Sequence, residues 1–275
     1  MTYHTLLVHL DNGPACAVRT EIALRLAREH GSHLIGLAPT GQVQIPVDVA
    51  ASVFEPGYAV ASGHYLRTRA DSACEEFEAR ARAAGSISFE ARVDEADHAL
   101  SVIAHARGAD LVVVGQTDSE APLGVVNRDL PERAVLGGGR PVLVVPYAGR
   151  FDVVGHHVLV AWNDSREAAR ALADALPMLQ RARKVTLLTQ RDAGQPEPAL
   201  APIEAWLGRH AVHATAAHEV SDLDFGDLLL SRAADLGATL IVMGCYGHSR
   251  LTERVLGGAT RALLRQMTVP VLMSH

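Results

Sequence analysis

Short apolar runs alternate with longer amphipathic stretches along the whole chain. The runs consist mostly of Val, Ile and Leu with little polar alternation, as in strands that are buried on both faces of a parallel sheet. The stretches between them place apolar residues at helical spacing among Arg and Glu. This alternation predicts βαβ units, and therefore an α/β fold in which helices cover parallel sheets.

The predicted elements form two similar sets of five strands, and four crossover helices join the strands within each set. The strands of the first set are TLLVHL, SHLIGLA, SISFEARV, DLVVVG and PVLVVP, and those of the second are HVLVAW, KVTLLTQ, VHATAAHEV, TLIVMG and PVLM. The first helix of the first set, ACAVRTEIALRLAREHG, is expected to end at Gly31. The first helix of the second set is expected to run unbroken over SREAARALADALPMLQRA.

The spacing of equivalent positions indicates that the two sets are copies of one unit. The fourth strands end at Gly115 and Gly244, which are 129 residues apart. The last strands begin at Pro141 and Pro270, which are again 129 residues apart. Because the spacing is the same at both places, the chain is predicted to be a tandem repeat.

The repeat predicts two domains, over residues 1–148 and residues 154–275. The first repeat is the longer because it carries an insert at residues 39–63 that is punctuated by Pro and Gly. Such an insert is expected to be a functional or covering loop rather than a linker. The glycines at residues 137–139 are expected to end the helix that precedes the last strand of the first repeat.

Composition and charge narrow the class of protein. With 48% hydrophobic residues in 275, the chain is globular rather than disordered or collagen-like. The net charge is −6, and neither half shows the basic excess that is usual for a nucleic-acid-binding protein, so no nucleic-acid partner is expected. The longest apolar runs are strand-sized, so no membrane partner is expected either. The N-terminal residues lack the pattern of a secretion signal, and the three cysteines lie far apart in the sequence. Both observations favour a cytoplasmic location.

Common catalytic and phosphate-binding motifs are absent from the sequence. The single lysine, Lys184, follows Arg183 rather than a glycine, so no GxxxxGK[ST] loop is present. GxGxxG, HExxH and GxSxG are absent too. We therefore expect a binding protein rather than an enzyme. His210 and His213 lack a third ligand at metal spacing, so no metal site is expected.

Glycines cluster after the fourth strand of the second repeat. Gly244 and Gly247 follow that strand directly, and Gly257 and Gly258 open the next helix. Ligands of parallel sheets bind at the carboxyl ends of the strands, and the amides at a helix N-terminus attract phosphate. The segment therefore indicates a phosphate-binding loop. The alternative interpretation is a glycine-rich turn that serves only close packing.

The spacing Gly-x2-Gly-x9-Gly after a VMG-type strand resembles the nucleotide-binding signature of the universal stress proteins, and the closing VPVLM is similar to that family's last strand. The resemblance implies two tandem Rossmann-like domains of the adenine nucleotide alpha hydrolase-like type, each with a five-stranded parallel sheet flanked by helices. It also implies a cytoplasmic stress-response protein that binds ATP or ADP, with or without Mg²⁺, and it leaves slow ATP hydrolysis open. The residues that it places around the nucleotide are Asn163, Met243, Gly244, Gly247, His248, Ser249, Gly257, Gly258, Ala259 and Thr260.

Two positions of the second repeat depart from the pattern of the ATP-binding members. Gly258 stands where those members carry Ser or Thr, and Thr260 follows two residues later. Asn163 stands where they carry an Asp near the adenine and ribose. An Asn can still donate and accept hydrogen bonds. The alternative function is a scaffold or protein-interaction module of the same fold that binds no nucleotide.

The first repeat keeps only one side of the implied site. Asp11 occupies the adenine-side position, but Asp118 and Arg128 stand at the positions of Gly247 and Gly257. A carboxylate repels phosphate, and a residue other than glycine adopts positive φ only at a cost. We therefore expect the nucleotide site of the first repeat to be degenerate.

Two further residues of the second repeat are open to two interpretations each. Trp162, just after a strand, would either stack on a base or cover the core. Cys245, inside the glycine motif, would either be redox-sensitive or fill space as a small residue.

The last strand of each repeat is predicted to lie at a sheet edge. Both strands are rich in Val and Leu and poor in charge, and such an edge promotes aggregation when it is left unpaired. We therefore expect the two strands to pair within one chain and to form an intramolecular pseudo-dimer, as the family's habit of pairing through its last strand also implies. A further homodimer is compatible with this arrangement.

Overall fold

The computed structural model of the chain describes residues 2–41, 56–117, 129–191, 193–194, 199–245 and 258–275, with the backbone alone at 56–61 and 258–259. The chain packs as two compact units, Tyr3–Arg140 and Pro141–His275. Among the described residues, no helix has the length and apolar character that are needed to span a membrane.

The first unit alternates strands and helices, and its strands are all parallel. Their spatial order is β3-β2-β1-β4, which places the first strand in the interior of the sheet. The elements are β1 (Thr5–His9), α1 (Cys16–His30), β2 (His33–Pro39), α2 (Pro56–Ala84), β3 (Ser88–Asp94), α3 (His98–Ala106), β4 (Leu111–Gly115) and α4 (Leu130–Gly138).

The second unit repeats this order and adds one strand in front. Its strands lie in the order β5-β10-β9-β6-β7-β8, and all neighbours are parallel except β5 and β10. The elements are β5 (Val142–Val145), β6 (His157–Ala161), α5 (Arg166–Asp174), α6 (Leu176–Leu179), β7 (Lys184–Arg191), α7 (Ala201–Arg209), β8 (Ala214–Val220), α8 (Phe225–Leu236), β9 (Leu240–Gly244), α9 (Gly258–Gln266) and β10 (Val271–Ser274).

The last strands of the two repeats pair with each other. β5 and β10 run antiparallel, with Leu143 opposite Leu272 and Val142 opposite Met273. All eight residues of the two strands are buried, so the pairing removes two apolar edges from water. The expectation that these strands meet is confirmed. Because of this pairing, β5 packs with the second unit, although it closes the first repeat in the sequence.

The α/β class, with mostly parallel strands flanked by helices, is confirmed. Interior strands such as β1 and β4 are almost fully buried, whereas β3 and β8 are half-exposed. Two predicted helix ends are also confirmed, because Gly31 and Gly139 adopt the left-handed conformation that glycine tolerates best, with φ of +67° and +64°.

Two local predictions are wrong. The helix that was expected over SREAARALADALPMLQRA is broken at Ala175 into α5 and α6, because Pro177 has no amide hydrogen and belongs to the first turn of a new helix. The insert at residues 39–63 is not a loop throughout, since α2 begins at Pro56. Residues 42–55 of that insert lie outside the described residues.

Candidate functional site

The candidate site lies at the carboxyl ends of two neighbouring strands in the second unit. β6 and β9 are parallel neighbours, with Val158 opposite Leu240 and Val160 opposite Val242. Asn163 follows β6, and Gly244 ends β9, so the register brings these two predicted site residues to one edge of the sheet. Ligands of open parallel sheets bind at this edge.

Asn163 is exposed and shapes the turn that leads into α5. Its Oδ1 accepts hydrogen bonds from the hydroxyl of Ser165 at 2.7 Å and from the amide of Ser165 at 3.3 Å. The next residue, Asp164, has a φ of +57°, which an Asp tolerates better than most side chains. Ser165 then caps α5 by accepting from the amide of Ala168. The oxygen of Asn163 therefore orders the turn, and its amide nitrogen is the donor that this residue can offer to a ligand.

Gly244 has a packing role that does not depend on a ligand. A Cβ at this position would lie 2.3 Å from the carbonyl carbon of Glu167 and 2.4 Å from the amide nitrogen of Ala168. Both atoms belong to the backbone of the first turn of α5, which cannot move as a side chain would. Close contact between strand and helix therefore requires glycine here. The neighbouring Met243 is buried opposite Met273 of β10 and belongs to the core.

The phosphate side of the implied site is described only in part. Gly247, His248, Ser249 and Gly257 lie outside the described residues. Gly258 is the first residue of α9 and Ala259 is the second, so the expected helix begins where the sequence predicts. Thr260 is buried in the first turn of this helix.

Acidic and thiol groups lie beside the end of β9. The carboxyl of Glu167 is buried, with 3% of the side chain exposed, and pairs with the exposed Arg166. Burial is the largest single effect and opposes ionisation of Glu167, but the hydrogen bond and charge of Arg166, together with a backbone hydrogen bond and the charge of His275, outweigh it and lower the pKa of the carboxyl. Burial, with a smaller contribution from Glu167, raises the pKa of Cys245 to about 12. The thiol of Cys245 donates to the carbonyl of Ser274 at 3.3 Å, so this cysteine acts as a packed, protonated residue.

In the first unit, the equivalent edge is filled by an arginine. Arg19 of α1 is buried, and its Nη2 lies 2.9 Å from Oδ2 of Asp11. Its Nε donates to the carbonyl of His9 at 2.7 Å. A Cβ on Gly115 would lie 2.3 Å from Nη1 of Arg19, so the guanidinium lies against the end of β4. The carboxylate of Asp11, which the resemblance places on the adenine side, is therefore already paired with a cation of its own chain.

A histidine pair adjoins this ion pair. His9 Nε2 and His98 Nδ1 lie 2.9 Å apart, and His9 is 4% exposed. Burial first, and then the charge of Arg19, lower the pKa of His9 to about 3, so its imidazole is neutral at physiological pH. Burial also lowers the pKa of His98.

Sequence reasoning missed both Arg19 and the histidine pair. For Arg19 a signal was present, because it lies three residues before the buried Ile22 and seven before the buried Leu26, on the apolar face of α1. The histidine pair joins residues 89 positions apart, and no local pattern announces such a contact.

Other candidates from the sequence take structural roles. Trp162 is buried in the core, and its amide donates to the carbonyl of Leu188 at 2.9 Å. The ring of His210 lies 4.4 Å from that of Trp206. Among the described residues, no group of three His, Cys, Asp or Glu side chains is arranged to hold a metal ion.

Comparison with known proteins identifies the class of domain in the second repeat. Residues 155–275 match the universal stress protein family, so this part of the chain is a domain of that family. No curated protein matches the chain significantly.

Two solved structures share the fold over almost the whole chain, and a third aligns to about half of it. A universal stress protein from Archaeoglobus fulgidus DSM 4304 is similar with a TM-score of 0.74 and 18% identity, over 98% of this chain and 95% of that one. A putative universal stress protein from Pseudomonas aeruginosa UCBPP-PA14 gives a TM-score of 0.60 and 15% identity, over 99% and 93%. A universal stress protein in complex with cAMP aligns to 54% of this chain and 100% of its own, with a TM-score of 0.36 and 21% identity.

Proposed function

We propose that the chain is a tandem universal stress protein of the cytoplasm, in which the second repeat binds ATP or ADP and acts as a regulatory module without enzymatic activity. The observation that carries the proposal is the position of Asn163. An exposed amide side chain, held on an ordered turn, stands beside the end of β9 at the ligand-binding edge of the sheet. An amide at this position can contact the base or ribose of a nucleotide.

The phosphates would lie on the segment that leads from β9 into α9. Gly244 ends the strand and Gly258 begins the helix, so the amides of the first turn of α9 are available as donors. Phosphate binding at a helix N-terminus uses backbone donors, and therefore does not require the absent lysine motif. With glycine at position 258 no hydroxyl is offered there, so we expect weaker binding than in members with Ser or Thr.

The first repeat would serve as a structural partner without a nucleotide. Asp11 is paired with Arg19, and the guanidinium lies at the edge where a base or ribose would be held. We infer that the two repeats form an intramolecular pseudo-dimer, which the pairing of β5 with β10 supports.

A second candidate function is that of a scaffold without nucleotide. The packing of Gly244 against the backbone of α5 favours it, because this motif glycine would be needed whether or not a ligand binds. The scaffold would use the fold to present surfaces to other proteins.

The test is to heat the purified protein and to analyse the supernatant for released nucleotide. The same preparation, freed of nucleotide, is titrated with ATP, ADP and cAMP, each with and without Mg²⁺. Gly258→Ser separates the two candidates, because a hydroxyl should tighten a real phosphate site about ten-fold by adding a hydrogen bond to a charged group. No released nucleotide and no binding by either the natural protein or Gly258→Ser would favour the scaffold.

A further inference from the structure

We propose that Asn163 determines which adenine nucleotides the second repeat prefers, because its side chain offers the ligand hydrogen-bond donors only. The nucleotides that this favours carry a phosphate on the ribose, since the oxygens of an ionised phosphate accept hydrogen bonds and do not donate them. The inference rests on the proposed nucleotide site and adds a selectivity to it.

The hydrogen bonds around Asn163 fix which atom of its side chain is available to a ligand. The backbone amide of Ser165 can only donate, and it lies 3.3 Å from Oδ1 of Asn163. The hydroxyl of Ser165 lies 2.7 Å from the same atom and accepts from the amide of Ala168 at 3.1 Å, so its single proton is directed to Oδ1. Because both neighbours donate, the atom that they contact is the oxygen. The NH₂ group is therefore the part of the side chain that can reach a ligand.

The first repeat shows what the second atom of the side chain at this position contacts. Asp11 and Asn163 each stand two residues after the end of the first strand of their repeat. In both residues, Oδ1 accepts from the backbone amide two positions later. The other oxygen of Asp11 is an acceptor, and its partner is a donor, the guanidinium of Arg19. At Asn163 the corresponding atom is a donor, so the complementary group of a ligand is an acceptor.

The surroundings of Asn163 favour an anionic acceptor over a neutral one. Ser165 is the N-cap of α5, so the positive end of this nine-residue helix lies two residues from Asn163. The first two side chains of the helix, Arg166 and Glu167, form an ion pair and largely cancel each other. Asp164 is exposed, so water and salt screen its charge. Because a hydrogen bond to an ionised group is about twice as strong as one between neutral groups, a ribose phosphate is preferred to a ribose hydroxyl.

An aspartate at position 163 would reverse this preference. Its second oxygen would accept from a ribose hydroxyl and would repel a phosphate. Asn163→Asp keeps the size of the side chain and leaves an oxygen for the two donors of Ser165, so the turn into α5 should be preserved. Urea unfolding of the variant checks that it is.

The test titrates the full chain, freed of nucleotide, with AMP and with AMP that carries a second phosphate at the 2′ or the 3′ position of the ribose. In the natural protein, one of the two bisphosphates should bind about ten-fold more tightly than AMP. In Asn163→Asp, both should bind more weakly than AMP. Asn163→Ala removes the donor without adding a charge, and should bring the three affinities close together. The matched control is Asn12→Asp, which adds the same charge at an exposed position of the first repeat and should leave the preference of the natural protein unchanged.

The outcomes separate this inference from the proposed function. If the natural protein binds AMP at least as tightly as both bisphosphates, the selectivity is overturned and the nucleotide site stands. If Asn163→Asp and Asn163→Ala keep the preference of the natural protein, the selectivity is overturned too, because another part of the site then recognises the added phosphate. If the natural protein binds neither ATP nor any of these three nucleotides, the proposed function fails, and the selectivity that rests on it fails as well.

Discussion

The guanidinium of Arg19 lies 2.9 Å from the carboxylate of Asp11, at the sheet edge of the first repeat that corresponds to the candidate site of the second. The cation is buried, and it also bonds the carbonyl of His9. Burial is the largest single effect and raises the pKa of Asp11. The charge of Arg19 and smaller contributions from His9 and the amide of Gly13 together outweigh burial and keep this pKa well below its usual range. In the first unit, the sheet edge at which a ligand would bind is thus occupied by the Arg19 side chain of the same unit.

The first prediction concerns the stability that this pair provides. Replacing Arg19 by Leu should destabilise the protein by about 2–3 kcal/mol, because Asp11 is left without its partner. The value is below that of a fully buried pair, since a third of Asp11 is exposed and water can compensate in part. Urea unfolding measures the loss. The control is Arg28→Leu on the same helix, where an exposed arginine should contribute less than about 0.5 kcal/mol.

The second prediction separates packing from ligand binding at the equivalent glycines. Gly244→Ala should cost about 3 kcal/mol or more, or prevent folding, because the new methyl group meets the backbone of α5. Gly115→Ala should cost less, about 1–2 kcal/mol, since the new methyl group meets the end of the Arg19 side chain rather than backbone, and this side chain must shift within its pair with Asp11. Both variants are compared by urea unfolding without nucleotide. Equal losses would show that the α5 contact does not explain Gly244.

The third prediction concerns the pH dependence of stability. The pKa of His9 is lowered in the folded state. The folding stability that His9 contributes is therefore fully present above its unfolded pKa of about 6.5, and it is lost as the pH falls from there towards the folded pKa. Between pH 7.5 and 5.5, His9 should account for about 1.4 kcal/mol of lost stability.

Urea unfolding at the two pH values checks this figure. In His9→Gln, the loss of stability between the two pH values should be smaller by the same amount. Asp11 does not interfere, because its lowered pKa affects stability only in stronger acid. If the natural protein and His9→Gln lose the same amount of stability between the two pH values, the buried neutral state of His9 is contradicted.

The fourth prediction is that two of the three cysteines are unreactive in the folded protein. Burial raises the pKa of Cys74 to about 11 and that of Cys245 to about 12, so neither forms the thiolate that reacts at pH 8. Mass spectrometry after brief alkylation should find both unmodified, and both should react in urea. Rapid labelling of Cys245 in the native protein would restore the redox interpretation.

The sequence predicts those features that repeat locally. The apolar runs and the 129-residue spacing of Gly115 and Gly244 locate the strands, and both glycines do end strands. The pairing of β5 with β10 follows from the low charge of both strands. These properties depend on neighbouring residues or on composition, and therefore can be derived without coordinates.

Contacts between distant elements are harder to derive. The approach of α5 to Gly244 joins segments about 77 residues apart, and it supplies a packing reason for a glycine that also fits a ligand motif. Pro177 also fits the amphipathic pattern of a single helix, so the pattern alone does not show the break at Ala175, although proline favours the first turn of a new helix. In both cases the local sequence pattern fits two interpretations equally well. A contact with a distant segment decides between them at Gly244, and the restricted backbone of proline decides between them at Ala175.

The central claim, that the second repeat binds an adenine nucleotide, is tested most directly by calorimetric titration of the full chain with ATP and Mg²⁺. We expect one nucleotide per chain, and about ten-fold weaker binding in Asn163→Ala because a hydrogen bond is lost. Asn12→Ala, which removes the exposed amide that follows Asp11 in the first repeat, should leave the affinity unchanged. Two nucleotides per chain, no binding at all, or a loss caused by Asn12→Ala rather than by Asn163→Ala would contradict the claim.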